Sequence, residues 1–231
     1  MPTFSSFNAF GSETIDISQG HIPVWLGVVS PVPVGGTLAK AYAQTGALYA
    51  AGTPVNLNEK IITPFVAWEV VSMATVSTDD NIVIKPAVLG GVTILPKVGD
   101  LIQKVGSAFS STGKAAEVTA VTALTGDDAG KYQVTVLHAA TIDSVSEGSY
   151  IAISSAVSAG SSKSLANIPN GYLYNDIYFG NLGGSANDYT LAATGAVVVN
   201  HPEGLLVELT PAAAFKAQMA AAVPGVYQVL V

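Results

Sequence analysis

Two residue types are missing altogether from these 231 residues: cysteine and arginine. Without cysteine there is no disulfide, no thiolate nucleophile and no cysteine-ligated zinc site. Without arginine, and with nine lysines against sixteen acids for a net charge of −7, no basic patch is available to hold phosphates, so nucleic-acid binding is not expected. Histidines number three (His21, His138, His201), and none has a second histidine or a carboxylate three or four positions on, the spacing a helical metal site uses. Enzymes gather polar groups with displaced pKa values at one place. Material for that is thin here, so the composition favours a structural or binding protein over an enzyme, with no cofactor and no metal.

Long apolar runs are also missing. The hydrophobic fraction of 49% and mean hydropathy of +0.46 are high, yet no stretch approaches the ~18 apolar residues of a spanning helix. Met1–Phe10 has neither the basic start nor the apolar centre of a secretion signal. The expectation is a soluble protein made in the cytoplasm, without a membrane partner. Charge is the last scarcity. Only 11% of residues are charged, against ~25–35% on a typical soluble surface, so contacts with other proteins are expected to cover part of this surface.

What is present reads mainly as β structure. Residues 1–36 carry Phe4, Phe7 and Phe10 among Ser, Asn and Gly, then Trp25 and closely spaced prolines, which predict an extended arm. Large side chains on such an arm pack on the chain's own body or anchor to a partner, and Phe4, Phe7, Phe10 and Trp25 are the candidate contacts. Gly46–Val55 and Lys60–Val66, with a turn at Asn56–Glu59, predict a hairpin that continues through Ala67–Ala74. Strands are expected at Asn81–Lys85, Thr93–Leu95, Asp100–Val105, Ala115–Leu124, Tyr132–His138 and Ser149–Ile153, with Gly126–Gly130 as a turn. Val98-Gly-Asp-Leu-Ile102 and Glu147-Gly-Ser-Tyr-Ile151 look alike and hint at a duplicated β element.

Ser154–Ser164 has the composition of a flexible linker. Beyond it, Gly171–Phe179, Gly195–Asn200, Leu205–Leu209 and Val226–Val231 are candidate strands, Gly180–Asp188 is a loop, and Pro211–Ala222 is the one helix, with Thr210 as N-cap and Pro211 at its first position. In a continuous strand Tyr172, Tyr174 and Tyr178 would share a face; with Tyr189 they form a candidate surface aromatic patch, suited to an interface or to stacking on a sugar. The acid pairs Asp79-Asp80 and Asp127-Asp128 lack the alternating oxygen ligands of a calcium loop and read as turn acids. No Gly-x-Ser-x-Gly nucleophile motif and no phosphate-loop motif occurs.

Two stretches resemble the head-fibre and capsid-decoration proteins of tailed bacteriophages. One is Gly46–Lys60 followed by Ile61–Val66, centred on Ala51-Gly-Thr-Pro-Val55. The other comprises Gly171–Ile177, Thr194–Val199, Leu209–Phe215 and Pro224–Tyr227. Together they span Thr37–Trp68 and Leu165–Val231, under half of the chain. The resemblance implies a non-enzymatic virion protein, a trimer rather than a dimer, bound to the major capsid protein on the outer face of the shell. It also implies a mostly β fold: an arm at 1–36, a decoration-type barrel or sandwich core from 37–75 and 159–231 with the helix at 211–222, and a small β-domain at 76–158 inserted between the halves. Such an insert departs from the smallest members of the family. Other virion proteins or host glycans are further candidate partners, and a carbohydrate-binding or host-adhesion module of a phage fibre is the alternative function.

Overall fold

The computed structural model describes residues 24–25, 36–42, 47–76, 79–89, 92–137, 142–143, 145–179, 194–195, 197–198, 204–206 and 212–229. The protein is mostly β with one short α-helix, and it divides into two compact units. One, the body, joins residues 1–64 to 170–231; the other, the insert, is 65–169.

In the body, β1 (Gly36–Leu38), β2 (Ala47–Tyr49), β3 (Pro54–Asn58) and β4 (Ile61–Pro64) precede the insert. The insert contributes β5 (Ala67–Val76), β6 (Asp79–Ile84), β7 (Ala87–Leu89), β8 (Val92–Ile94), β9 (Leu101–Lys104), β10 (Gly113–Lys114), β11 (Ala116–Ala123), β12 (Tyr132–Leu137), β13 (Tyr150–Ile153) and β14 (Ser162–Lys163). Back in the body follow β15 (Gly171–Leu173), β16 (Ile177–Phe179), β17 (Thr194–Gly195), β18 (Val197–Val198), β19 (Gly204–Leu206), α1 (Lys216–Ala222) and β20 (Tyr227–Val229).

The body sheet has the order β17-β1-β4-β3-β15-β18. Its two outermost strands are separated by a single residue, Ala196, so one stretch of chain supplies both edges and the sheet curls round on itself. Val55, Ile62, Tyr172, Leu173, Val197 and Val198 are fully buried in it. Gly36 is required where β1 runs parallel beside β4: a Cβ there would stand 2.7 Å from Ile62 Cγ1 and 2.9 Å from Lys60 O. The β3–β4 turn lies at Glu59-Lys60, later than the Asn56–Glu59 expected, and both residues have positive φ (48° and 67°). Two-residue hairpin turns of this type favour Asn-Gly because side chains with a Cβ are strained there. Replacing Glu59-Lys60 by Asn-Gly is therefore expected to stabilise the body by about 1–2 kcal/mol, read as a higher denaturant midpoint.

The insert is a closed six-stranded barrel in the order β11-β12-β6-β5-β13-β9. Alternation places Asp80, Ile82 and Ile84 of β6 inside, where they meet Val134 and Val136 of β12, Val118, Ile102, Ile151 and Trp68, nearly all with no solvent exposure. Closure leaves the barrel no open sheet edge.

The barrel has internal two-fold symmetry. β5 and β6 form one hairpin and β11 and β12 another, each bulged at the equivalent place, after Val70 and after Val118. Glu69 pairs with Tyr150 and Trp68 with Ile151; Glu117 pairs with Leu101 and Ala116 with Ile102. The two sets are related by a shift of about half the insert, Glu69 to Glu117 and Leu101 to Tyr150. β9 and β13 pair with each other across the axis, at Gln103↔Ala152, as do β6 and β12 at Ile82↔Val134. The similarity of Val98–Ile102 to Glu147–Ile151 is the sequence trace of this symmetry. In each copy the turn ahead of the strand is closed by its fourth residue: Asp100 N donates to Lys97 O (3.0 Å) and Ser149 N to Ser146 O (3.0 Å). Each turn also sets a glycine at positive φ, Gly99 at 90° and Gly148 at 76°.

Several sequence-based expectations need correction. The insert runs from 65 to 169 and not from 76 to 158, because Ala67–Val76 pairs with β6 and β13 and so belongs to the barrel. Ser154–Ser164 is no linker. Ser154 bridges Leu165, Ser155 N and Oγ both donate to Ser164 O, and β14 pairs with β10. Its serines supply hydrogen bonds that hold a compact turn, which composition alone does not reveal. Gly171–Phe179 breaks into β15 and β16 around bends at Tyr174 and Asn175, and Asp176 Oδ1 there accepts from Ala51 N at 2.7 Å. The helix opens with a 3-10 turn at Ala213–Phe215 before α1, and its expected cap, Thr210, lies outside the described residues along with Pro211.

Candidate functional site

Of the arm residues expected to touch a partner, Phe4, Phe7 and Phe10 lie outside the described residues. Trp25 lies within them, and it packs on its own chain. Its Nε1 donates to Tyr174 O at 2.9 Å, and its ring stands edge-on to Tyr172 with centroids 6.2 Å apart. Its backbone bridges Leu205, and Val24 beside it is buried. The arm is thus pinned to the body at Val24–Trp25.

The expected aromatic patch is not one surface. Tyr172 is wholly buried, beneath Trp25, and its hydroxyl accepts from Gln228 Nε2 at 3.2 Å. Tyr174 sits in the bend, partly exposed, with its ring 6.3 Å from Trp25. Tyr178 is on a different strand, β16, paired with Leu48 of β2, and Tyr189 lies outside the described residues. The break between β15 and β16 ends the continuous strand on which a shared face depended.

Two tyrosines of the body have strongly displaced acidity. Burial pushes the Tyr49 hydroxyl up to about 12, helped by the neighbouring Tyr42; Tyr49 donates to Tyr42 O at 2.5 Å. Burial likewise pushes Tyr172 up to about 12, opposed in part by the Gln228 hydrogen bond. A folded-state pKa raised above the unfolded value near 10 favours the neutral phenol in the fold. That stability is complete below pH 10 and is lost as pH rises from 10 towards 12. The body is expected to unfold in this window, and Tyr49→Phe should move the alkaline midpoint upward, as followed by circular dichroism against pH.

The acid pairs have separate structural roles. Asp80 is buried and accepts from Thr75 Oγ1 at 2.6 Å, while Asp128 pairs with Lys131 at 2.7 Å in the β11–β12 turn. Among the described residues no three His, Cys, Asp or Glu side chains are grouped as metal ligands, and no helix is long and apolar enough to cross a membrane. His21, His138 and His201 lie outside the described residues.

Charge is divided unevenly between the units. The body holds 10 charged residues in 126, and the insert 15 in 105. No family model, no curated protein and no solved structure matches the chain.

Proposed function

We propose that the chain is a virion structural protein of a tailed bacteriophage, a decoration or head-fibre protein without enzymatic activity. Its body seats on the outer face of the capsid, against the major capsid protein and neighbouring copies in a trimer, and the barrel is the displayed module. The observation that carries this reading is the charge division. A body with 10 charges in 126 residues is poorly equipped to face water alone and well suited to burial in an assembly. The barrel is richer in charge and free of sheet edges, as suits a displayed module. The motifs that resemble decoration proteins support the same assignment, since nearly all of them lie in the body. The carbohydrate-binding alternative rests on the Tyr172–Tyr189 row, and burial of Tyr172 removes its first member.

The test is co-sedimentation with purified shells of the major capsid protein. The full chain is expected to pellet with the shells, and a chain shortened by residues 2–22 is expected to stay folded and bind at least tenfold more weakly. The cut stops short of Val24–Trp25 so that the body keeps its pin. A full chain that remains in the supernatant at every concentration overturns the reading. Undiminished binding by the shortened chain moves the anchor from the arm to the body.

A further inference from the structure

The two-fold symmetry of the barrel allows each surface position to be compared with its twin. On one side, Lys85 follows Ile84, the partner of Val70, and so lies across from Glu69, which pairs in turn with Tyr150. Lys85 Nζ meets Glu69 Oε1 at 2.7 Å. Glu147 occupies the adjoining turn. On the other side, Leu137 follows Val136, the partner of Val118, and so lies across from Glu117, which pairs with Leu101. Val98 occupies the adjoining turn. The twins of Lys85, Tyr150 and Glu147 are therefore Leu137, Leu101 and Val98, while the acid is kept as Glu117.

This exchange is not a demand of the fold, because the same backbone accepts the polar set at its twin. It leaves Val98 68% and Leu137 43% exposed, among the larger apolar exposures of the described residues. It also leaves Glu117 exposed and, among the described residues, without the lysine that neutralises Glu69. Three aliphatic side chains around an acid that, among the described residues, lacks the cation found at its twin define the chemistry of what would cover them.

We propose that Val98, Leu101, Glu117 and Leu137 form a docking surface for a protein segment that presents an apolar side chain beside a lysine or arginine. The apolar group covers the leucines, removing them from water, and the cation takes the place that Lys85 holds at the twin. A patch of four side chains is far smaller than the ~800 Å² per partner of a standard interface. The occupant is a short segment, held strongly where several barrels bind at once.

n-Hexylammonium, an alkyl chain with a cationic head, is a minimal probe, and hexanoate is its control of opposite charge. Titrated into the full-length protein and followed by NMR, hexylammonium is expected to shift signals of Val98, Leu101, Glu117 and Leu137 at a concentration at least tenfold below hexanoate. Leu137→Lys should abolish the effect; lysine is native at the twin, so the variant should fold. Glu117→Gln should keep weak binding and lose the preference for the cation. Equal response to both probes, shifts centred elsewhere, or shifts that survive Leu137→Lys overturn the proposal. Sedimentation of Leu137→Lys separates a different occupant: if that variant alone loses self-association, the surface is a contact between copies and the proposal falls. None of these measurements involves shells, so their outcome is independent of the capsid reading.

Discussion

Cutting out residues 65–169 and joining Pro64 to Asn170 through a short flexible linker is expected to leave a folded body, and the excised segment is expected to fold by itself. Pro64 and Gly171 both pair with Val55, one on each side of β3. The chain thus leaves the body on β4 and returns on β15, two strands apart, or about 10 Å. Some four to six Gly/Ser residues span that gap at ~3.3 Å each with slack. The gap is so short that the body loses no strand by the deletion. The insert keeps its whole hydrogen-bonding pattern, because its six barrel strands pair only with one another. Circular dichroism and thermal unfolding of the two pieces check this. Each should melt cooperatively, and an unfolded body would mean that the insert is needed for folding. A body that is folded and still binds shells would place the seat of the protein in residues 1–64 and 170–231.

Trp68→Ala is expected to have the largest effect of any single substitution in the barrel. Trp68 is 2% exposed and the largest of the buried side chains, and its Nε1 donates to Ile94 O at 2.8 Å. Its removal opens a cavity and strands a carbonyl, at a cost of about 3–5 kcal/mol. For a unit of this size that lowers the melting temperature by roughly 15 °C or more. The twin position carries Ala116, so symmetry does not supply a second large side chain to fill the space. Calorimetry of the full chain should show the barrel transition displaced and the body transition unchanged. Gly36→Ala should do the reverse, since its Cβ would meet Ile62, Leu57 and the Lys60 carbonyl within 3 Å. If either variant moves both transitions equally, the units do not unfold independently.

Most of the barrel strands were legible from residue pattern. β6, β9, β11, β12 and β13 lie within one or two residues of the expected runs, because alternating β-branched side chains between turn residues suit a surface with one face buried. Turn glycines were legible for a similar local reason. Boundaries between units were not. Whether Ala67–Val76 continues the first hairpin or opens the barrel depends on which distant strand pairs with it, and that is a long-range choice. The fold of the serine-rich segment is hidden for the same reason: its hydroxyls look like those of a linker until their partners are known. Tyr172 and Tyr174 are two residues apart, yet one is core and the other faces outward in part, because the strand stops between them.

By itself, the sequence determined the class of protein: mostly β, without thiol chemistry, without a basic surface, and short of charge. The last three follow from composition, which no fold can alter, and the β class follows from the alternation of side chains between turn residues. Only the tertiary structure decided which acids are neutralised and which aliphatics are exposed. Glu69 and Glu117 occupy like contexts in the sequence, Glu-Val after an alanine or tryptophan. The difference between them is made by residues 85 and 137, brought alongside by the register of the neighbouring strands. That register is set by burying one face of each hairpin, and a slip of one residue would turn every side chain to the other side.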